Sequence, residues 1–103
     1  MDRVTITQGD DTNALEEKII ISLDTELDLN GFSACFQLGN FQQFFSDIRT
    51  KELQIIIPGT ETALLPAGPL YGALKIFDAA GRQKTLADNI CFYVKRKAVD
   101  HVQ

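Results

Sequence analysis

The segment of residues 70–81, LYGALKIFDAAG, decides how the rest of this 103-residue chain can fold. Its apolar residues Leu74 and Ile76 alternate with residues that would point to the opposite side, which is the period of a half-buried β-strand. The Asp-Ala-Ala-Gly sequence that follows is typical of a turn, because aspartate and glycine both favour turn conformations. The segment therefore predicts a strand over residues 70–77 that ends in a turn.

Segments with the same alternation lie on both sides of that strand, and turn signals separate them. They cover residues 4–6, 19–23, 32–38, 53–57 and 82–97. Short strands at this spacing are typical of an immunoglobulin-like domain. We therefore predict an all-β fold, an immunoglobulin-like β-sandwich of about seven antiparallel strands. A single domain would span residues 1–97, and residues 98–103 would form a flexible tail.

Two segments lack the strand alternation. Residues 41–48, FQQFFSDI, have helical spacing but could equally form an irregular strand that crosses the end of the sandwich. We expect the crossing strand, because about eight residues make only a marginal helix. Residues 59–65 predict a single helical turn, with Thr60 as a candidate N-cap.

Composition excludes several classes of partner. The chain is 45% hydrophobic and 23% charged, as in ordinary globular proteins, and no segment approaches the ~20 apolar residues of a membrane-spanning helix. The net charge is -4, and the basic residues are scattered except at residues 95–97, so we expect neither a nucleic acid nor a membrane as partner. The N-terminus has no secretory signal pattern, which predicts synthesis in the cytoplasm without a signal peptide.

Catalytic chemistry has little support in the sequence. The only histidine, His101, lies in the expected tail, where a general base would not be held in place. The glycines never cluster as in a phosphate-binding loop, and three Cys and His residues in total are too few for structural zinc. We therefore expect no enzyme activity, no catalytic or metal-binding residue and no cofactor.

The ligand spacing of a calcium loop occurs once, in a run of alternating oxygen ligands: Asp24, Glu26, Asp28 and Asn30 before Gly31. When Glu26 is taken as the first position of such a loop, the twelfth position, where a bidentate glutamate belongs, is Gln37. We therefore predict a solvated acidic hairpin loop with Leu27 and Leu29 turned inward, and calcium binding is the alternative.

The two cysteines are expected to be free thiols. In an immunoglobulin-like order Cys35 lies on the third strand and Cys91 on the last, with the strand of residues 70–77 between them. That arrangement separates them by about 10 Å, whereas a disulfide needs Cα atoms within about 4.4–6.8 Å.

Alternation also predicts a surface for binding. It assigns five residues to the core: Phe36, Leu74, Ile76, Phe92 and Val94. Their neighbours then share the opposite side of the sheet: Cys35, Tyr71, Ala73, Phe77, Cys91 and Tyr93, with Lys75 and Lys95 among them. A contiguous apolar and aromatic surface indicates a protein interface. In the alternative interpretation, Tyr71 turns inward as a tyrosine-corner residue and residues 41–48 cover the others.

Four groups of residues occur in a recognisable order: Gln8-Gly9-Asp10; Leu29-Asn30-Gly31-Phe32; residues 64–72, LLPAGPLYG, leading into residues 74–81, LKIFDAAG; and Lys84-Thr85-Leu86 with Phe92-Tyr93-Val94. This order resembles the immunoglobulin-like domain at the N-terminus of phage baseplate upper proteins, over residues 4–97. The resemblance implies a structural module of a phage or prophage tail, made in the host cytoplasm and carried in the virion. Its partners would be copies of itself, as a homo-oligomer, or phage tail proteins.

A different class of function stays open beside it. An immunoglobulin-like domain unrelated to virions could bind carbohydrate or act in adhesion. Such modules display exposed aromatic side chains for stacking on sugars, and this chain has no tryptophan.

Overall fold

The computed structural model describes residues 4–14 and 18–97. The predicted tail and His101 therefore lie outside the described residues. Within those ranges the chain forms seven strands and one short helix: β1 (Val4–Thr7), β2 (Ile19–Ser22), β3 (Ser33–Leu38), β4 (Phe41–Phe45), β5 (Glu52–Ile55), α1 (Gly59–Thr62), β6 (Gly68–Phe77) and β7 (Gln83–Lys95).

The strands form two sheets. One has five strands in the order β1-β7-β6-β3-β4, and the other pairs β2 with β5. The all-β class is confirmed, but the expectation that every strand is antiparallel is wrong, because β1 runs parallel to β7 with Val4 opposite Phe92. The last strand, β7, is continuous from Gln83 to Lys95, although its register with β6 is irregular at two points.

Hydrogen bonds from a distant helix hold the end of β1 in this direction. Thr62 is fully buried. Its hydroxyl accepts a hydrogen bond from the Gly9 amide at 3.0 Å and donates one to the Asp10 carbonyl oxygen at 2.8 Å. The Gly59 amide donates to a carboxylate oxygen of Asp11. These bonds fix the loop after β1 beside α1, and β1 itself ends with Thr7 opposite Lys95.

The core lies on one side of the five-stranded sheet and includes side chains from β5 as well. All five residues assigned to the core from the sequence are buried there. The rings of Phe36 and Phe92 meet at its centre, with centroids 5.7 Å apart and planes tilted by 56°. Gly72 lies against both rings, because a Cβ at this position would be 2.9 Å from Phe36 and 3.0 Å from Phe92.

Residues 41–48 form neither the expected crossing strand nor a helix. Phe41–Phe45 is a regular strand, β4, which pairs antiparallel with β3 across a tight turn where Gly39 adopts a φ of 58°. The apolar residues have helical spacing, but they do not share one buried side: Phe41 and Ile48 are buried, while Phe44 points to solvent. The Gly39-Asn40 turn, which favours a hairpin, overrides that spacing.

The helical turn after β5 is present, but Thr60 does not cap it. The N-cap is Pro58, with a ψ of 153° and no hydrogen bond from a capping side chain. Proline has no side-chain oxygen to accept from the first amides.

Two side chains satisfy the backbone at the end of β5. The Thr12 hydroxyl accepts from the Ile57 amide at 2.8 Å and donates to the Ile55 carbonyl at 3.2 Å. From β4, the Gln43 side-chain amide donates to the Gln54 carbonyl at 3.1 Å and accepts from the Ile56 amide at 2.9 Å. Both edges of this short segment therefore find partners without a further strand.

Gly72→Ala should destabilise the protein by about 1–3 kcal/mol, because the added methyl group overpacks the contact with Phe36 and Phe92. Ala73→Ser, on the same strand but on the side away from the core, should change stability by less than about 0.5 kcal/mol. Urea unfolding of the three proteins measures the difference. Equal midpoints for Gly72→Ala and the wild type would contradict the packing described here.

The strand order also makes a prediction about the thiols. Both cysteines are free, and β6 lies between their strands, with Cys35 opposite Lys75 and Cys91 opposite Tyr71. A thiol titration of denatured, unreduced protein should therefore find two free thiols per chain. A monomer with no titratable thiol would contradict the order β3-β6-β7.

Candidate interaction surface

The predicted interface residues share the side of the five-stranded sheet that faces away from the core, here called the outer face. Burial alternates along β6, where Gly72, Leu74 and Ile76 are buried and the residues between them are not. The same alternation in β3 and β7 places the other predicted residues on the outer face. The side chains so placed are the six predicted from the sequence: Cys35, Tyr71, Ala73, Phe77, Cys91 and Tyr93.

Strand register places these residues in two groups, with Ala73 between them. Tyr71 lies opposite Cys91, and Tyr93 follows two residues along β7, opposite Pro69. Further along β6, Lys75 lies opposite Cys35, and Phe77 follows two residues later. Since Tyr71 and Lys75 are four residues apart on one strand, about 13 Å of strand separates the two groups. The outer face is therefore an elongated surface instead of one compact cluster.

A further aromatic residue of this face was not predicted from the sequence. Phe44 lies directly opposite Cys35 on β4, and 71% of its surface is exposed. Its orientation depends on the tight turn that pairs β4 with β3. The Gly39-Asn40 sequence is the signal that could have indicated this pairing.

Neither expected means of covering the outer face occurs. Tyr71 does not turn inward, since 60% of its surface is exposed. The segment 41–48 does not fold over the face, because its first five residues form β4 within the same sheet. Tyr71 and Phe44 thus leave large aromatic surfaces in contact with water, and such surfaces are common at interfaces.

Two exposed ion pairs stabilise turns. The backbone amide and the guanidinium group of Arg82 both donate to Asp78 in the β6–β7 turn. The hydrogen bond from the backbone amide is the main cause that lowers the pKa of Asp78. For Asp47 the main cause of the lowered pKa is instead the side-chain hydrogen bond from the Arg49 guanidinium, at 2.8 Å. Both pairs join residues close in sequence, so they fix local conformation.

The acidic run before β3 is a loop, but the prediction of a hairpin is wrong, because β2 pairs with β5 while β3 pairs with β4 and β6. Asp28 accepts a hydrogen bond from the Asn30 amide at 3.0 Å, and Leu29 is buried. Leu27 is not turned inward, however, and 60% of its surface is exposed. Its amide donates to the Thr25 hydroxyl within the loop, which leaves the side chain pointing to solvent. Across residues 4–14 and 18–97, no three His, Cys, Asp or Glu side chains come together to hold a metal ion.

No helix in the described part of the chain is both long and apolar enough to cross a membrane.

Millimolar calcium should leave the melting temperature nearly unchanged, because the loop lacks the bidentate carboxylate that completes a calcium site. Differential scanning calorimetry with and without calcium measures the shift. A rise of several degrees that Asp28→Ala abolishes would instead establish calcium binding in this loop.

Comparison with known proteins finds a similar fold among solved structures. No family model and no curated protein matches the sequence. Among solved structures, the chain is similar to the N-terminal domain of phage TP901-1 ORF48, with a TM-score of 0.57 and 13% sequence identity. The similarity covers 94% of this chain and 86% of that chain. At this identity the comparison shows a shared fold, and the fold it shows is that of an N-terminal domain of a phage protein.

Proposed function

We propose that this domain is a non-enzymatic structural component of a phage or prophage tail, similar to a baseplate protein, and that it acts through protein–protein contacts. The observation that carries the proposal is the outer face, where aromatic side chains lie uncovered on the five-stranded sheet. Tyr71 is 60% exposed and Phe44 is 71% exposed. Aromatic anchors of this kind are enriched at the centres of protein interfaces.

The fold supports the phage assignment. The sheets β1-β7-β6-β3-β4 and β2-β5 contribute to one core, as the two layers of an immunoglobulin-like sandwich do. The sequence resemblance to baseplate upper proteins and the structural likeness to a phage N-terminal domain point to the same kind of protein. The domain would accordingly function in the virion, bound to tail proteins or to copies of itself.

The chemistry of the outer face favours binding over catalysis. Its potential nucleophiles are the thiols of Cys35 and Cys91, and they lie on strands separated by β6. A thiol nucleophile needs a base beside it, and residues 4–14 and 18–97 contain no histidine. The aromatic rings, in contrast, can bury apolar area against a partner at about 25 cal/mol per Å².

The double substitution Phe77→Glu and Tyr93→Glu should abolish association, because it places two charges where a partner would exclude water. Sedimentation velocity measures the association state, and circular dichroism checks that the β-spectrum is intact. Ile20→Glu is the matched control, since Ile20 is 48% exposed on the two-stranded sheet and should leave association unchanged.

Dissociation with an intact β-spectrum would support the proposal. An association state that the double substitution leaves unchanged would remove the outer face as the interface. Loss of folding would show that Phe77 and Tyr93 belong to the core.

A further inference from the structure

One end of the outer face carries a positive charge close to two aromatic rings. Lys75 lies between Cys35 on β3 and Thr85 on β7, with Phe77 two residues along its own strand. Phe44 lies beyond Cys35. These four side chains, Cys35, Phe44, Lys75 and Phe77, form what we call the Lys75 patch. Within the described residues, no hydrogen bond or ion pair reaches the Lys75 ammonium group.

The Lys75 patch is small enough for a single loop to cover. Phe44 and Lys75 are two strand spacings apart, or about 10 Å, and Phe77 is about 7 Å from Lys75 along β6. An exposed aliphatic side chain could fit between the two aromatic rings while a carboxylate beside it reaches Lys75. A ligand for this patch should therefore combine an apolar side chain with an adjacent negative charge.

The chain itself carries such a segment. The loop before β3 presents Leu27, which is 60% exposed, between the exposed carboxylates of Glu26 and Asp28. The loop is held in shape from within: the Thr25 hydroxyl accepts from the Leu27 amide at 3.2 Å, and the Lys51 ammonium group donates to the Thr25 carbonyl at 2.8 Å. A preformed loop loses less conformational entropy on binding than a flexible one.

We propose that the Glu26–Asp28 loop of one copy of this chain binds the Lys75 patch of the next. In this contact Leu27 packs between Phe44 and Phe77, and the Lys75 ammonium group donates to the carboxylate of Glu26 or Asp28. The inference rests on the proposed function of the outer face as a contact surface, and it names the partner. Packing of the patch on itself is disfavoured, because the two Lys75 charges would meet with no carboxylate from the patch between them.

This contact joins two different surfaces, so a dimer retains a free patch on the copy that gave its loop and a free loop on the copy that gave its patch. Repetition of the contact produces a ring if the rotation closes and an open chain if it does not. A contact built on one loop belongs to the small class of interfaces, below about 1,200 Å², and forms transiently in solution. Its charge pair lies near the surface, so high salt should weaken it.

Two variants test the inference, each of which removes one half of the contact. The patch variant combines Phe44→Ser with Lys75→Glu, and the loop variant combines Glu26→Lys with Leu27→Ser. All four side chains lie at the surface or outside the core, so both variants should fold, which circular dichroism checks. Each variant alone should associate with a Kd at least about tenfold higher than the wild type.

Mixing the two variants should restore one contact, since the patch variant keeps its loop and the loop variant keeps its patch. Two-dimensional amide NMR detects it. When the loop variant is isotopically labelled, adding the unlabelled patch variant should shift the signals of Cys35, Phe44 and Phe77. With the labels reversed, the signals of residues 25–29 should shift. High salt should remove both sets of changes.

Leu64→Ser is the matched control, because Leu64 is 76% exposed and belongs to neither half of the contact. It should leave wild-type association unchanged. If the wild type associates through the outer face but the mixed variants show no shifts, the loop contact is overturned. The outer face would then remain an interface. If the mixture shows no NMR shifts and the wild type does not associate at millimolar concentration, self-association is overturned. A different tail protein is then the only remaining partner.

Discussion

The packing of Phe36 and Phe92 over Gly72 is the constraint on which the rest of the sheet depends. These residues belong to β3, β7 and β6, so one three-way contact sets how the central strands of the five-stranded sheet meet. Because side chains alternate along a strand, a central strand that turns these residues inward must turn their neighbours outward. The composition of the outer face is therefore a consequence of the core. A one-residue slip in register would turn the core side chains outward and the outer-face side chains inward.

Some of this architecture follows from sequence alone, and the reason is local periodicity. Phe36, Leu74 and Phe92 could be assigned to the core because each lies in an uninterrupted alternation. Phe44 was not placed, because its orientation depends on the pairing of β4 with β3, and the Gly39-Asn40 turn is the only local signal of that pairing. The direction of β1 was also beyond prediction, since the Thr62 hydroxyl that fixes its end lies 53 residues from Gly9 in the sequence. No local pattern encodes a contact of that range.

The two sheets offer different routes to association. In the smaller sheet the end of β5 is satisfied by the Thr12 hydroxyl and the Gln43 amide, and backbone groups that already have partners are poor templates for an added strand. The larger sheet instead exposes side chains from its outer face. Contacts through side chains depend on shape and charge, so they are more selective than backbone pairing. The outer face is therefore suited to a specific partner.

The parallel pairing of β1 with β7 also governs the order of folding. Val4 contacts Phe92, so the first strand has no partner in its sheet until the last strand has been synthesised. The antiparallel pairs β3–β4 and β6–β7 join segments adjacent in sequence and can form early, because short loops close at little entropic cost. During synthesis β1 must remain unpaired while every other strand emerges from the ribosome. Insertion of β1 beside β7 would then be a late step, and a nascent chain would be most exposed to misassembly just before it.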